Sequence, residues 1–243
     1  MKFNRSLSFA LFVVAILLIL VIPLDEVSAR AGGGGGGGGG GIGGGGGGGR
    51  VGIIAILLLP LFFIYSAIIT YLVAKRNKES KSLLDQLAKK DSSWSLDKIR
   101  SQIKISFFKI QEAWMERDQD IAKDFMSEKL YQKHKAQTDE MILKNRKNIL
   151  EGIKLRELKI VEVADYEDDS RDRIWVYIKG SMIDYAIDTT NNKVVSGDPN
   201  EAEHFCELWK YVRRNNNWVL DEIDQKVDIS DLKGFESFSE APK

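Results

Sequence analysis

Cysteine and histidine are almost absent from this chain. Its 243 residues include one cysteine, Cys206, and two histidines. A single cysteine excludes an intrachain disulfide and is compatible with a reducing compartment. Two scattered histidines and one cysteine do not form a metal-ligand pattern. We therefore expect no metal and no cofactor, and we interpret Cys206 as a small apolar strand residue rather than a nucleophile.

Net charge is also absent, since 35 basic residues balance 35 acidic ones. The two signs are nevertheless separated along the chain. Residues 75–160 carry 21 basic against 14 acidic side chains, and residues 161–243 carry 10 against 19. A basic half beside a membrane segment is typical of a domain held against anionic head groups. The alternative is that helices are rich in Lys here while strands and loops are rich in Asp.

Charge is missing altogether from one segment, Val51–Ala74. As a helix it would be about 36 Å long at ~1.5 Å per residue, enough to cross a hydrocarbon core of about 30 Å. The alternative is a buried core helix, which normally keeps a polar stripe that this segment lacks. Pro60 is expected to kink the helix. The sequence therefore predicts one transmembrane helix at 51–74.

Two segments precede this predicted span. Residues 1–29 combine basic residues, a long apolar run and a small-residue cleavage site, which predicts a signal peptide or an uncleaved signal anchor. Residues 30–50 are a glycine-rich, low-complexity linker, because glycine offers no side chain to bury. A phosphate-binding glycine loop would need a preceding strand and a following helix that fix its geometry, whereas the neighbours here are a cleavage site and a predicted membrane span.

Basic residues follow the predicted span and indicate its orientation. We expect a single-pass protein of a bacterial-type plasma membrane with its C-terminal domain in the cytoplasm, because positive residues favour that side. Segment 75–95 is predicted as a basic juxtamembrane segment, either a solvated extension of the span or an amphipathic helix on the membrane surface. The candidate membrane-surface contacts are Lys75, Arg76, Lys78, Lys81, Lys89 and Lys90.

Residues 96–226 are predicted to form the soluble domain, followed by a C-terminal tail at 227–243. Apolar residues at spacings of three and four predict a helix from Leu96 to Arg117, a short helix from Asp118, and a third from Glu128 to about Lys147. After Gly152 the period changes to two, which predicts about four antiparallel strands. The fold class is therefore α+β, with three helices packed on a curved antiparallel sheet.

Three segments resemble the Tim forty-four-like domain family. They are ISFFKIQEAWMERDQDIAKDFMSEKLYQKHK (Ile105–Lys135), LRELKIVEVADYED (Leu155–Asp168) and the hairpin FCELWKYVRRNNNWVLDEI (Phe205–Ile223). The family is named for the mitochondrial import-motor scaffold and includes a mitochondrial ribosomal protein and many bacterial membrane-anchored proteins. The resemblance covers about residues 96–226, and the order of signal, glycine tract, span and domain is similar to that of bacterial members.

The resemblance implies a cone-shaped fold like that of nuclear transport factor two. It also implies non-enzymatic scaffolding at a membrane, linked to protein transport, with an anionic lipid or a partner protein as ligand. Ribosome tethering is an alternative that the ribosomal relative implies. DNA is not expected, because the sequence lacks interleaved arginines and aromatics of the nucleic-acid-binding kind.

Aromatic residues are the candidate ligand contacts inside such a cone. They either line an apolar pocket or form packed core. The candidates are Trp114, Trp175, Tyr177, Tyr185, Phe205, Trp209 and Trp218. The second function considered is an enzyme that uses a dyad of His204 with Asp184 or Asp221 for proton transfer. His134, in the lysine-rich YQKHK, is predicted to be solvated.

Overall fold

The computed structural model describes the backbone of residues 50–240 and the side chains of residues 60–240. The predicted signal at 1–29 and the predicted linker, apart from Arg50, lie outside the described residues. In the part of the chain that the structure describes, no helix is long and apolar enough to cross a membrane. The prediction of a transmembrane helix at 51–74 is therefore not confirmed, and its residues 51–59 have no described side chains.

The first described element is one long helix, α1 (Arg50–Leu87), which contains Pro60. Its C-terminal half packs on the domain, because Leu72, Val73, Leu84 and Leu87 are all buried. Most of the predicted juxtamembrane segment is thus part of a helix that contributes to the apolar core.

Two further helices follow, with short 3-10 turns at Ser92–Trp94 and Gln119–Phe125. Helix α2 is Leu96–Glu116 and α3 is Glu128–Leu143. The Ser127 hydroxyl accepts the Leu130 N–H and caps α3. The periodic apolar residues of α2 are fully buried, namely Ile99, Ile103, Phe107, Ile110 and Trp114. The predicted short helix is the 3-10 turn, and α3 ends before Lys147 because a strand begins at Arg146.

The sheet has five strands rather than the expected four, in the order β4-β3-β2-β1-β5. The strands are β1 (Arg146–Asp165), β2 (Arg173–Asp188), β3 (Lys193–Arg214), β4 (Asn217–Asp224) and β5 (Phe238–Ser239). Strands β1 to β4 pair antiparallel, and β5 pairs parallel with β1. Together with the helices they form the mixed α+β fold with a curled sheet.

Register shifts bend the long strands. Strand β1 shifts three times against β2, and the first shift includes Gly152 at φ 58°. Bulges of this kind increase local twist and re-aim side chains. Gly180 on β2 lies under the Phe205 ring, where an added Cβ would come within 2.4 Å of it. Gly180 therefore allows a close approach of the Phe205 ring to the strand.

The C-terminal tail is folded within the described residues. It contains a short helix, α4 (Ile229–Gly234), and then β5. Leu232 of α4 packs with residues of α1 and with the outer face of the sheet. The sheet is thus covered on both faces, by α2 and α3 on one and by the end of α1 with the tail on the other.

Candidate functional site

The seven candidate aromatics do not come together. Four lie in the main core between the helices and the sheet: Trp114, Phe205, Trp209 and Trp218. Their neighbours are other rings, as in the pair Phe107–Trp209, whose ring centroids are 5.4 Å apart. These side chains fill the space between α2 and the sheet.

The other three candidates lie elsewhere on the sheet. Trp175 and Tyr177 are on the opposite face, where Trp175 packs on Phe235 and the Tyr177 hydroxyl donates to Cys206 Sγ at 3.1 Å. Tyr185 is half-buried, and its hydroxyl donates to Glu151 Oε1 at 3.3 Å. The structure thus divides the aromatics between two faces and does not place all seven around one cavity.

His134 is buried, so the prediction that it is solvated is wrong. Its ring lies edge-on to Trp114, with centroids 5.3 Å apart. Neither ring nitrogen has a hydrogen-bond partner among the described residues. Burial, with a smaller effect of Lys133, lowers the pKa of His134 to about 4. The imidazole is therefore neutral at physiological pH.

Folding stability should consequently fall as the pH falls from about 6.5 to about 4. In that window the unfolded state takes up a proton that folded His134 rejects, because its folded pKa is depressed. A shift from 6.5 to about 4 corresponds to about 3 kcal/mol at ~1.4 kcal/mol per pH unit. Relative to the native chain, His134→Leu should gain about this amount between pH 7 and pH 4, measured by urea unfolding. The matched variant His204→Leu should show no such gain, and an equal response of both variants would contradict the assignment.

The proposed catalytic dyads do not form. His204 is exposed and pairs in register with Ser181 on the outer face of the sheet. Asp184 is buried and follows Met182 by two residues on β2, so the two side chains are on the same face. This is the face that packs in the main core, opposite to the face of His204. Asp221 instead forms an ion pair with Lys210 at 3.0 Å. No described geometry therefore supports proton transfer by His204.

Three of the candidate membrane contacts line one groove. Lys75, Arg76 and Lys78 of α1 face a groove of about 750 Å³ that is closed on its other side by Glu236 and Ser237. Arg76 is also a structural residue, because its guanidinium donates to the carbonyl oxygens of Leu232 (2.8 Å) and Lys233 (2.6 Å). The two lysines are exposed.

The remaining basic candidates are divided among other surfaces. Lys89 is exposed after the end of α1. Lys90 lines a cavity of about 340 Å³ that is also lined by Asp165, Glu167 and Asp169. Lys81 faces a separate cavity of about 210 Å³ between α1, α2 and β1. The six predicted membrane contacts therefore do not form one surface, because only Lys75, Arg76 and Lys78 line the same groove.

We call the cavity of about 210 Å³ that is lined by Lys81 the basic pocket. Its polar lining consists of Asn77, Lys81, Arg100, Arg156, Glu157 and Lys159. Four cations face one carboxylate, and that carboxylate already pairs with Lys159. Sequence reasoning missed Arg100, Arg156 and Lys159, because they lie on different elements and form no local motif. The strand spacing of Arg156 is itself interrupted by a register shift.

A comparison with curated protein sequences finds no match. Among solved structures, the intermembrane space region of the chloroplast protein ARC6 matches with 11% identity and a TM-score of 0.37, covering 53% of this chain and 97% of that one. A family model described as "Tim44-like domain" matches residues 80–225.

The matched residues begin inside α1 and end after β4, so they include helices α2 and α3 and strands β1 to β4. This is more than half of the chain, and it contains all three segments on which the sequence resemblance rests. The chain belongs to the Tim44-like domain family.

Proposed function

We propose that this chain is a non-enzymatic, membrane-anchored binding protein. Its Tim44-like domain lies on the cytoplasmic face of a bacterial-type plasma membrane and contacts anionic lipid head groups there. The domain also serves as a scaffold for a partner protein. A membrane-associated scaffold or binding role is the coarse function that the family supports.

The observation that carries the proposal is the continuity of α1. One helix runs from Arg50 through the uncharged residues 51–74 and continues through a charged segment to Leu87. Leu84 and Leu87 in its last turns are buried in the domain. A helix packed at one end and inserted at the other would hold the domain at a fixed distance from the bilayer. The ~15 residues from Leu72 to Leu87 that pack on the domain span only about 23 Å at ~1.5 Å per residue.

Charge near this helix supports the lipid contact. Lys75 and Lys78 are exposed on α1 directly after the apolar segment. Lysines this close to an anionic surface contribute roughly 1 kcal/mol each to binding. Lys75 lies only 4.0 Å from Glu79, an exposed pair that leaves the lysine accessible to solvent.

Vesicle binding tests this proposal. A chain that starts at residue 68, with its fold verified by circular dichroism, should bind vesicles containing phosphatidylglycerol and not vesicles of phosphatidylcholine alone. Lys75→Gln/Lys78→Gln should weaken binding about 30-fold, the equivalent of ~2 kcal/mol. The matched variant Lys133→Gln/Lys135→Gln on α3 should bind like the native chain. Equal binding to both vesicle types, or equal loss in both variants, would contradict the proposal.

A further inference from the structure

We infer that the basic pocket binds a phosphate group. The pocket lies at the junction of three elements that are fixed to one another. The Asn77 side-chain amide donates to the Ile160 carbonyl oxygen at 2.9 Å and ties α1 to β1. Lys81 follows Asn77 by four residues, so both side chains lie on the same face of α1.

Helix α2 supplies the second wall. Leu96 and Arg100, again four residues apart, both line the pocket. Ile99, the neighbour of Arg100, is fully buried and fixes this face of α2 against the core. Arg100 is thereby directed toward β1, although it is distant in sequence from the other cations.

Strand β1 supplies the other two cations. Leu155 pairs with Gly180 and Glu157 pairs with Lys179, so Arg156 is the extra residue of a bulge. Bulges re-aim side chains. The Arg156 Nε donates to Ser181 Oγ at 3.1 Å, which orients its guanidinium and leaves the two Nη groups for a ligand.

The charge balance of the pocket favours an anion. Lys81, Arg100, Arg156 and Lys159 face one carboxylate, that of Glu157. Glu157 pairs with Lys159, and among the described residues neither Lys81 nor Arg100 has a carboxylate within ion-pair distance. Lys81, Arg100 and Arg156 are exposed, so an anion can reach these cations, whose backbones are held in place.

The size of the pocket and the geometry of its donors both suit a phosphate group. The volume of about 210 Å³ is that of roughly seven waters at ~30 Å³ each, enough for a phosphate group with part of its hydration shell. Guanidinium groups match phosphate oxygens bidentately, and lysine ammonium groups add point charges. The phosphate can belong to a soluble phosphorylated molecule or to a lipid head group, since both present the same oxygens.

The test uses the full-length chain in detergent. Inorganic pyrophosphate is the soluble probe, and a short-chain phosphatidylglycerol in the micelle is the lipid probe, with phosphatidylcholine as its neutral counterpart. Isothermal titration should show that Arg100→Gln/Arg156→Gln weakens binding about 10-fold or more, as expected for two lost charge-assisted hydrogen bonds. The matched control Arg146→Gln/Arg171→Gln removes the same charge from exposed positions outside the pocket and should change affinity less than 2-fold.

Loss of pyrophosphate binding alone would assign a soluble phosphate ligand to the pocket. Loss of phosphatidylglycerol binding, alone or with pyrophosphate, would assign a lipid head group. Equal behaviour of the site and control variants toward both probes would overturn the inference. This inference does not depend on membrane contacts by Lys75 and Lys78, so the two proposals succeed or fail separately.

Discussion

A chain that begins at Leu96, the start of the domain predicted from the sequence, should not fold cooperatively. It lacks Leu84 and Leu87, which are buried in the main core, and Leu72 and Val73, which are buried against the outer face of the sheet. Burial of each such side chain contributes about 1.5–3 kcal/mol, so the loss is on the order of 6–12 kcal/mol. That equals most or all of the 5–15 kcal/mol that stabilises a typical domain.

Thermal unfolding followed by circular dichroism measures this effect. A chain that begins at residue 68 keeps the packed half of α1 and should show one cooperative transition, whereas the chain from residue 96 should show none. Leu84→Ala in the longer chain should cost about 2–5 kcal/mol. Its half-buried neighbour Leu83 offers the matched control, and Leu83→Ala should cost clearly less. Equal melting of the two chains would show that α1 is not part of the core.

Replacement of Arg213 by glutamine should be the most destabilising single charge change. The Arg213 side chain is only 6% exposed and contacts three carboxylates, at 2.6 Å for Asp91, 3.0 Å for Asp172 and 3.3 Å for Asp169. It thereby joins the loop before α2, the turn after β1 and strand β3. Removing one partner of a buried ion pair typically costs about 3–5 kcal/mol, because the other charge stays buried.

The cost of this substitution should depend on pH. Burial raises the pKa of Asp172 to about 6, even though the Arg213 guanidinium and the Tyr166 N–H favour its charged form. Without Arg213 the pKa should rise further. A raised folded pKa contributes stability at low pH that is lost as the pH rises through it, so Arg213→Gln should be least costly near pH 5 and most costly above pH 7.

Urea unfolding at pH 5 and pH 8 measures how much free energy of unfolding Arg213→Gln removes and how that loss depends on pH. The control is Arg171→Gln, which makes the same chemical change at an exposed arginine that stacks on Tyr166. It should cost no more than about 1 kcal/mol at either pH. A loss of that same small size for Arg213→Gln, or a larger loss at pH 5 than at pH 8, would contradict the buried-network account.

Local periodicity predicted the elements whose own sequence carries the signal. Helix α2 has five apolar residues at helical spacing, and all five are buried. The period of two that predicts strands after Gly152 holds along β2, where Trp175 and Tyr177 lie on the opposite face from Ile174 and Val176. These assignments succeeded because burial of one helix stripe or strand face repeats with a fixed period.

The failures concern contacts between distant segments. His134 follows Leu130 by one helical turn, but its lysine neighbours suggested solvent, whereas in the fold it is buried and packs against Trp114 of α2. Gly197 and Pro199 are residues that favour turns, but pairing with β2 keeps β3 continuous from Lys193 to Arg214. Contacts with distant segments determine the structure at these positions. The sequence of one segment alone does not specify those contacts.

The basic pocket was missed for the same reason. Lys81 was recognised as part of a basic run, but Arg100, Arg156 and Lys159 were not associated with it. Their convergence requires the packing of α1 on β1, which is fixed by the Asn77 hydrogen bond to Ile160. No spacing rule within one element would have assembled this set.

Alkaline carbonate extraction of bacterial membranes that contain the full-length chain tests the central claim most directly. The account predicts that the chain stays in the membrane pellet because the uncharged residues of α1 that precede its packed half, residues 51–67, insert into the bilayer. An uncleaved signal anchor at 1–29 would also retain the protein, so the comparison is made without it. A chain lacking only residues 1–29 should stay in the pellet, whereas a chain lacking both 1–29 and 51–67 should be released into the supernatant, since it keeps the packed half of α1 but no apolar segment to insert. Release of the full-length chain would contradict membrane anchoring through α1.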